Sequence, residues 1–262
     1  MSLIDKFRFK MSAGKFEKTT PTNHKADDIF FVSFPKSGNT WLRFLIANSI
    51  KEKFCIEQSI NWFTIHDFIP DIHISRSVRS ENKLARCNFP RIIKSHSDYN
   101  PFYFRVILLV RHPVDVMGSY YNYLTDKGDI SKQITFRDFI LTKKYGAAKW
   151  QKHTNSWIKA LSYNKSVNIF YYENFLKNPV YELETLTKVL GLEMSQVQLD
   201  RVVERCSKNN MSALELNTRP TVSKHQFVDT KNSDHKDKID REDKLLIRNI
   251  CGDTCKKIGY SE

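Results

Sequence analysis

The sequence predicts a single α/β domain whose central, mostly parallel sheet is flanked by helices. Short apolar runs alternate with longer segments of helical period, as in parallel strands joined by helical crossovers. The first strand leads into the first helix through a small, hydroxyl-rich loop, in the manner of P-loop phosphate sites. At 262 residues and 40% hydrophobic composition, the chain can bury one full core.

Four apolar runs of strand length are each followed by a turn or helix signal, at 29–33, 91–94, 105–110 and 167–172. Seven segments carry helical spacing or a helix-start signal, at 40–51, 113–124, 136–142, 149–161, 179–190, 195–206 and 240–258. Ligands of open parallel sheets bind at the carboxyl ends of the strands, so we expect the functional site at that edge.

Two polar stretches lie outside this alternation. Residues 1–27 are polar, basic and without clear period, which predicts an N-terminal arm or substrate-side cover ahead of a domain at 28–262. Residues 217–238 are also polar with few large apolar groups. We interpret them as a mobile loop that covers the bound ligand.

The loop Phe-Pro-Lys-Ser-Gly-Asn-Thr-Trp at 34–41 gives the first functional signal. A strand that turns into a helix through such a loop leaves N–H groups pointing outward beside Lys36, which favours an anion. Nucleotide kinases place the lysine after the second glycine, whereas Lys36 precedes the only glycine. Trp41 could stack on a purine, but the loop alone fits equally well a surface turn with Trp41 in the core.

A second anion signal follows the run 105–110. Arg111 stands at the end of this predicted strand, and Pro113 suits the first turn of the next helix. Ser119 lies two turns into that helix. Arg111, Ser119 and Lys36 together could reach a second phosphate.

At these positions the chain resembles the sulfotransferases that use 3′-phosphoadenosine 5′-phosphosulfate (PAPS), of the cytosolic and bacterial type. The matching blocks, in the family's order, are residues 35–41, Lys94-Ser95-His96, Arg111 with Ser119, and Tyr172-Glu173-Asn174 with Lys177-Asn178-Pro179. They cover roughly residues 28–195, and the ending at 250–260 looks like that of bacterial members. The implied reaction moves a sulfonate group from PAPS to an acceptor hydroxyl or amine.

The resemblance implies three catalytic residues. Lys36 would stabilise charge on the leaving phosphate, where a fixed cation helps the transition state more than the ground state. His96 would be the general base, and Lys94 the second candidate for the sulfonate oxygens. A lone histidine at a strand end is more often structural, so the role of His96 depends on the resemblance. His66, His73 and His112 are weaker candidates for the base.

The cofactor ligands follow from the same correspondence. The resemblance assigns the 5′-phosphate to Lys36, Ser37, Gly38, Asn39 and Thr40, the 3′-phosphate to Arg111, Ser119 and Lys224, and adenine contacts to Trp41 and Tyr172. Members more often have Thr where this chain has Asn39, whose amide can still donate a hydrogen bond.

Two departures from the family pattern fall late in the chain. Cys206-Ser207-Lys208 stands where relatives carry Thr-Ser-Phe, so one aromatic face of the adenine site is expected to be absent. Ser223-Lys224-His225 replaces Arg-Lys-Gly, which weakens the predicted second clamp on the 3′-phosphate unless Arg219 substitutes. We therefore expect the opening loop to carry most of the cofactor's affinity.

Charge and cysteine usage restrict the partners less sharply. Forty-two basic against twenty-nine acidic residues give a net charge of +13, which favours any polyanion.

The sequence has no apolar run of membrane-span length and no signal-peptide core, so we expect a cytoplasmic protein. The five cysteines and the histidines lack metal-ligand spacing, so we expect no metal. The dimer motif of animal members is absent, which predicts a monomer or a different interface.

The sequence leaves the acceptor and two other function classes open. Aromatic residues at 62–63, 68, 99 and 102–104 could line a pocket for a phenol, sterol or lipid-like alcohol, whereas the basic excess favours a sugar or sulfated glycan. A P-loop nucleotide or small-molecule kinase would need lysine after glycine and an acidic Mg²⁺ ligand, and neither is evident. A basic nucleic-acid-binding protein would explain the charge, but no recognition motif is present.

Overall fold

Four parallel strands form the sheet at the centre of the molecule. The computed structural model describes residues 16–74, 87–161, 166–218 and 239–260. In chain order the strands are β1 (Ile29–Ser33), β2 (Ile92–Ser95), β3 (Arg105–Val110) and β4 (Val167–Tyr171). They lie in the order β2-β1-β3-β4, and each neighbouring pair is parallel. The predicted parallel sheet is therefore confirmed.

Ten α-helices accompany the sheet within the described residues. They are α1 (Asn39–Lys53), α2 (Ile65–Phe68), α3 (Pro113–Lys127), α4 (Phe136–Leu141), α5 (Ala147–Leu161), α6 (Tyr172–Lys177), α7 (Pro179–Leu190), α8 (Gln196–Arg205), α9 (Lys208–Thr218) and α10 (Arg241–Lys257). All seven predicted helices are present, with small shifts at their ends. The sequence patterns missed α2, α6 and α9.

Local chemistry fixes several of these boundaries. Proline occupies the first turn of α3 and of α7, and each of these helices ends at a left-handed glycine, Gly128 and Gly191 respectively. Ser195 caps α8 in a reciprocal pair with Gln198. These signals are readable in the sequence, so the predicted bounds are close to the observed ones.

Helices cover both faces of the sheet, and alternate strand residues serve each face. Ile29, Phe31 and the β3 residues Ile107 and Leu109 pack into one core with α1, α7 and α8. Phe30, Val32 and the β3 residues Val106 and Leu108 pack into the other with α3, α5 and α10. Strands buried on both faces read as continuous apolar runs, which explains the sequence pattern.

The strand order places a crevice at the carboxyl edge. From β1 the chain first adds β2 on one side and then β3 on the other, so the connections leaving β1 and β3 diverge. A switch of this kind opens a ligand crevice outside the strand ends. Lys36 follows β1 and Arg111 follows β3, so both predicted anion ligands lie beside it.

The described part of the N-terminal stretch packs on the domain. The amide of Asn100 donates to the hydroxyls of Thr19 at 3.1 Å and Thr20 at 2.9 Å. The Arg91 guanidinium donates to the Asn23 carbonyl at 2.8 Å and pairs with buried Asp28 at 2.6 Å. Residues 16–27 thus belong to the folded body although their composition is polar.

The remaining predicted segments lie largely outside the described residues. These are 1–15 of the arm and 219–238 of the covering loop, whereas 217 and 218 complete α9. Within the described residues, no helix is both long and apolar enough to cross a bilayer. The same part of the chain holds no group of three or more His, Cys, Asp or Glu residues arranged for a metal ion.

Candidate functional site

A cavity of about 680 Å³ opens at the carboxyl edge of the sheet. Its walls include ten predicted site residues: Lys36, Gly38, Asn39, Thr40, Trp41, Lys94, His96, Arg111, Ser119 and Tyr172. Ser37 lies in the same loop but is buried. Lys224 lies outside the described residues. Positions scattered over the sequence thus converge on one site, as the strand-end argument predicts.

The loop after β1 is built to receive an anion. Lys36 and Gly38 both adopt positive φ, at 66° and 90°, so the backbone turns sharply twice before α1. Gly38 occupies the cap position of α1 and offers no side chain to the N–H groups of the first turn. The Ser37 hydroxyl is buried and has no hydrogen-bond partner within the described residues. A phosphate oxygen fits these unsatisfied donors.

Asn39 points its amide toward β1 and not into the loop. Its Nδ2 donates to the Ser33 hydroxyl at 3.1 Å. The backbone N–H of Asn39, at the start of α1, remains the donor that a phosphate could use.

Tyr172 lies directly on the loop. A Cβ atom added to Gly38 would be 2.2 Å from Cδ2 of this ring. Trp41 meets Tyr172 edge to face at 5.9 Å, and its Nε1 donates to the Cys206 carbonyl at 2.8 Å. The predicted departure at Cys206 therefore lies beside the predicted adenine-stacking tryptophan.

Tyr172 begins α6, so the predicted strand was one residue too long. The aromatic run at 170–172 has high strand propensity, which concealed the helix start.

The next residue, Glu173, lies in the first turn of α6 and accepts the His112 N–H at 2.8 Å through Oε1. Its Oε2 accepts the Tyr260 hydroxyl, also at 2.8 Å. Glu173 thus ties the turn after β3 to the end of the described chain.

Arg111 bridges the two strand-end loops. Its guanidinium carbon lies 4.6 Å from the centre of the Tyr172 ring, and Nη1 donates to the Lys36 carbonyl at 3.1 Å. Its Nε is buried without a hydrogen-bond partner in the part of the chain that the structure describes. Ser119 lines the same cavity, and a forked cation with an unsatisfied N–H together with a hydroxyl fits a second phosphate.

Lys36 faces an aromatic wall that the sequence reasoning did not identify. Its Nζ lies 4.6 Å from the centre of the Tyr123 ring. Tyr120 stacks with Tyr123 and meets Tyr145 edge to face, and all three line the cavity. Tyr120 and Tyr123 are three residues apart on α3, a spacing that puts them on one helix face and could have indicated this wall.

His96 is held in one tautomer. Its Nδ1 lies 2.7 Å from the Ser33 carbonyl, which can only accept, so Nδ1 carries the proton and Nε2 has the lone pair. Burial, followed by the charge of Lys94, lowers the pKa of His96 well below its usual value. The imidazole is therefore neutral at pH 7, the form that a general base requires.

His73 supports His96 from the preceding loop. Its Nε2 accepts the backbone N–H of His96 at 2.7 Å, and the two rings stack with centres 5.7 Å apart. The backbone N–H of His73 in turn donates to Asp71 at 2.9 Å. These contacts fix the backbone that carries the candidate base.

Lys94 reaches the cavity as half of a buried ion pair. Its Nζ is 2.6 Å from Oδ2 of Asp71, and both side chains are about nine-tenths buried. Burial opposes ionisation of Asp71, but Lys94 outweighs it and holds the pKa of that carboxyl below its usual range. No sequence motif indicated Asp71, because its partner Lys94 is far away in the chain.

The sequence matches a family model and a named relative. The family model described as "Sulfotransferase domain" matches residues 26–259. The chain is 29% identical over 227 residues to Sulfotransferase 1E1 of Bos taurus, covering 78% of this chain and 74% of that relative.

Solved structures share the fold. A retinol dehydratase in complex with retinol and PAP superposes with a TM-score of 0.70 at 17% identity, over 95% of this chain and 86% of that one. Mouse sulfotransferase SULT7A1 complexed with PAP gives a TM-score of 0.64 at 18% identity, over 92% and 87% of the two chains.

Proposed function

The chain belongs to the sulfotransferase domain family and takes its sulfonate group from PAPS, and on that premise we propose that the loops after β1 and β3 hold the nucleotide while His96 activates a small-molecule hydroxyl. The observation that carries the proposal is the convergence of Lys36, His96 and Arg111 on one cavity. PAPS supplies an activated sulfonate on a 3′,5′-bisphosphate nucleotide.

The nucleotide half of the proposal rests on unsatisfied donors. Ser37 and the start of α1 would bind the 5′-phosphate, because the buried Ser37 hydroxyl lacks a partner within the described residues. Arg111, with its buried Nε, and Ser119 would bind the 3′-phosphate. Trp41 and Tyr172 would contact adenine at the same wall.

Lys36 would stabilise negative charge on the leaving phosphate. Contact with Tyr123 holds its ammonium at the cavity wall in this structure. A cation that meets developing charge in a water-poor site lowers the barrier to transfer more than it strengthens ground-state binding. Lys94, paired with Asp71, would assist at the sulfonate oxygens.

His96 would take the proton of the acceptor hydroxyl through Nε2. The Ser33 carbonyl fixes the required tautomer, and the lowered pKa keeps the ring neutral. The acceptor would lie between His96 and the tyrosine wall of α3. The cavity of about 680 Å³ must hold the nucleotide as well as the acceptor, which favours a small acceptor over a long glycan. We place the enzyme in the cytoplasm, as its sequence predicts.

A nucleotide titration tests the donor site. We expect 3′-phosphoadenosine 5′-phosphate (PAP) to raise the melting temperature more than ADP or ATP does. The stabilisation should reach about 2.7 kcal/mol at a hundredfold excess over the dissociation constant. Equal shifts with ATP and Mg²⁺ would favour the kinase alternative and contradict the proposal.

The variant Lys36→Met tests the role of this lysine in transfer. Sulfonate transfer from PAPS should fall about a hundredfold or more, while PAP should still raise the melting temperature, though by less than in the wild type, because Lys36 is also a predicted ligand of the 5′-phosphate. Lys177→Met, an exposed lysine on α6, is the matched control and should retain wild-type turnover. Unchanged turnover in Lys36→Met would remove this lysine from the mechanism.

A further inference from the structure

A buried arginine that sulfonate transfer does not use lies in the wall of the same cavity. Arg43, on α1, is only 8% exposed. Its Nη2 donates to the Ile69 carbonyl at 2.5 Å and faces Nδ1 of His66 at 3.3 Å. Its Nε is buried and has no hydrogen-bond partner among the described residues. Such an orphaned charged donor is costly unless a ligand satisfies it.

His66 adds a second donor beside Arg43. A guanidinium can only donate, so Nδ1 of His66 must accept, and the ring proton lies on Nε2. Burial, and then the charge of Arg43, lowers the pKa of His66, which favours this neutral form. Asp71 and, less strongly, exposed Asp67 oppose the shift. His66 also lines the cavity.

Within the described cavity wall, Arg43 shares the carboxylate of Asp71 with Lys94, so this cluster keeps a net positive charge. Two acids line the cavity, Asp71 and Asp129. Asp71 is paired with Lys94 at 2.6 Å, and Asp129 with Lys127 at 2.9 Å. Burial, opposed by Asp71, lowers the pKa of Arg43 to about 10, so the guanidinium is still charged at neutral pH.

We propose that the acceptor carries an oxyanion, such as a carboxylate, which Arg43 and His66 bind while the acceptor hydroxyl lies at His96. This inference rests on the proposed function and names the acceptor class. Arg43 and His66 supply one cation in excess of the shared carboxylate and two N–H donors, the chemistry that recognises a single oxyanion. The tyrosines of α3 would hold the body of the acceptor.

Three phenols of similar size test the proposal. They differ only in the end group: 4-hydroxyphenylacetate is anionic, 4-hydroxyphenylacetamide is neutral and tyramine is cationic. For the wild-type enzyme we expect kcat/KM with PAPS to be higher for the acid than for the amide by on the order of tenfold. Tyramine should be the poorest. Equal values for acid and amide would overturn the proposal.

The variant Arg43→Gln should remove this preference. Glutamine lacks the charge but can still donate to the Ile69 carbonyl, and Arg201→Gln, an exposed arginine on α8, is the control that should keep the preference. Loss of turnover for all three phenols alike would instead assign Arg43 to the sulfonate or to folding. Survival of the acid preference in Arg43→Gln would equally overturn the proposal.

Binding to the PAP complex gives a readout without turnover. The acid should raise the melting temperature of the wild-type PAP complex more than the amide does, even if neither is sulfonated. No added shift with the acid would refute the acceptor class. No shift with PAP itself would instead refute the donor site, so the two failures are distinguishable.

Discussion

At the scale of single residues, backbone contacts decide what His96 can do. The Ser33 carbonyl sets its tautomer, and His73 accepts its N–H. The Lys94-Ser95-His96 pattern located this residue only through the family resemblance. His73 was only a weaker candidate for the base, and Arg43 was not identified, because their partners come from elements distant in the sequence.

The pH dependence of transfer should reflect the lowered pKa of His96. The base acts only when neutral, so activity is lost as the pH falls through that pKa. Since the pKa is lowered, kcat/KM should keep its neutral-pH value as the pH falls past about 6.5, the usual pKa of histidine. Rates from pH 5 to 8 measure this. An acid limb centred at or above 6.5 would point to another group.

His96→Gln should reduce transfer by about 10² to 10⁴ and leave the PAP-induced shift nearly intact. His73→Gln is the comparison, because its side-chain oxygen can still accept the His96 N–H, and it should keep the acid limb. Full activity in His96→Gln would show that the base is wrongly assigned.

At the scale of elements, strand ends and helix starts were predictable where the signal is local. Apolar runs marked all four strands, and proline, glycine or Ser195 marked several helix ends. The missed helices gave weaker signals. Ile65–Phe68 and Tyr172–Lys177 are very short, and Lys208–Thr218 has only Met211 and Glu215 buried, so it shows no apolar period.

Gly38→Ala tests the junction between β1 and α1. Alanine at φ 90° costs about 1 to 2 kcal/mol, and its Cβ would collide with Tyr172. PAP affinity should fall about tenfold or more, because the loop must shift. Gly128→Ala shares the positive φ but has open space around it, so it should lose stability without losing PAP affinity. Equal PAP affinities in the two variants would contradict the role of this contact.

At the scale of the whole molecule, one strand order organises the site. The sequence predicted the parallel sheet and the edge where ligands bind, because both follow from element alternation. The acceptor wall was not predictable in the same way. Tyr123, Arg43 and His66 meet across the cavity only after α1, α2 and α3 have packed on the sheet.

Stability should fall on mild acidification because buried histidines stay neutral in the native state. His153 is 2% exposed, and burial, opposed by Asp98, lowers its pKa to about 4. Below about pH 6.5 the unfolded chain takes up a proton that native His153 refuses, which favours unfolding. Each such histidine contributes up to about 1.4 kcal/mol per pH unit.

Urea unfolding at pH 7.5, 6.5 and 5.5 measures this slope. Carboxylates are ionised in both states over most of this range, so the histidines dominate it. His153→Gln should reduce the slope of the unfolding free energy against pH, by an amount that corresponds to at most one proton taken up on unfolding. Lys177→Met, at an exposed position, should leave this slope unchanged. A free energy of unfolding independent of pH over this range would contradict the prediction.

The Glu173 bridge between His112 and Tyr260 should also delay firm nucleotide binding until late in the synthesis of the chain. Arg111 precedes the bridged His112 directly, yet Tyr260 lies beyond the last described helix. The turn that carries Arg111 gains this support only after the ribosome has released the chain through Tyr260. Growing chains that already contain all four strands and the β1 loop should therefore hold the nucleotide less firmly than the finished protein.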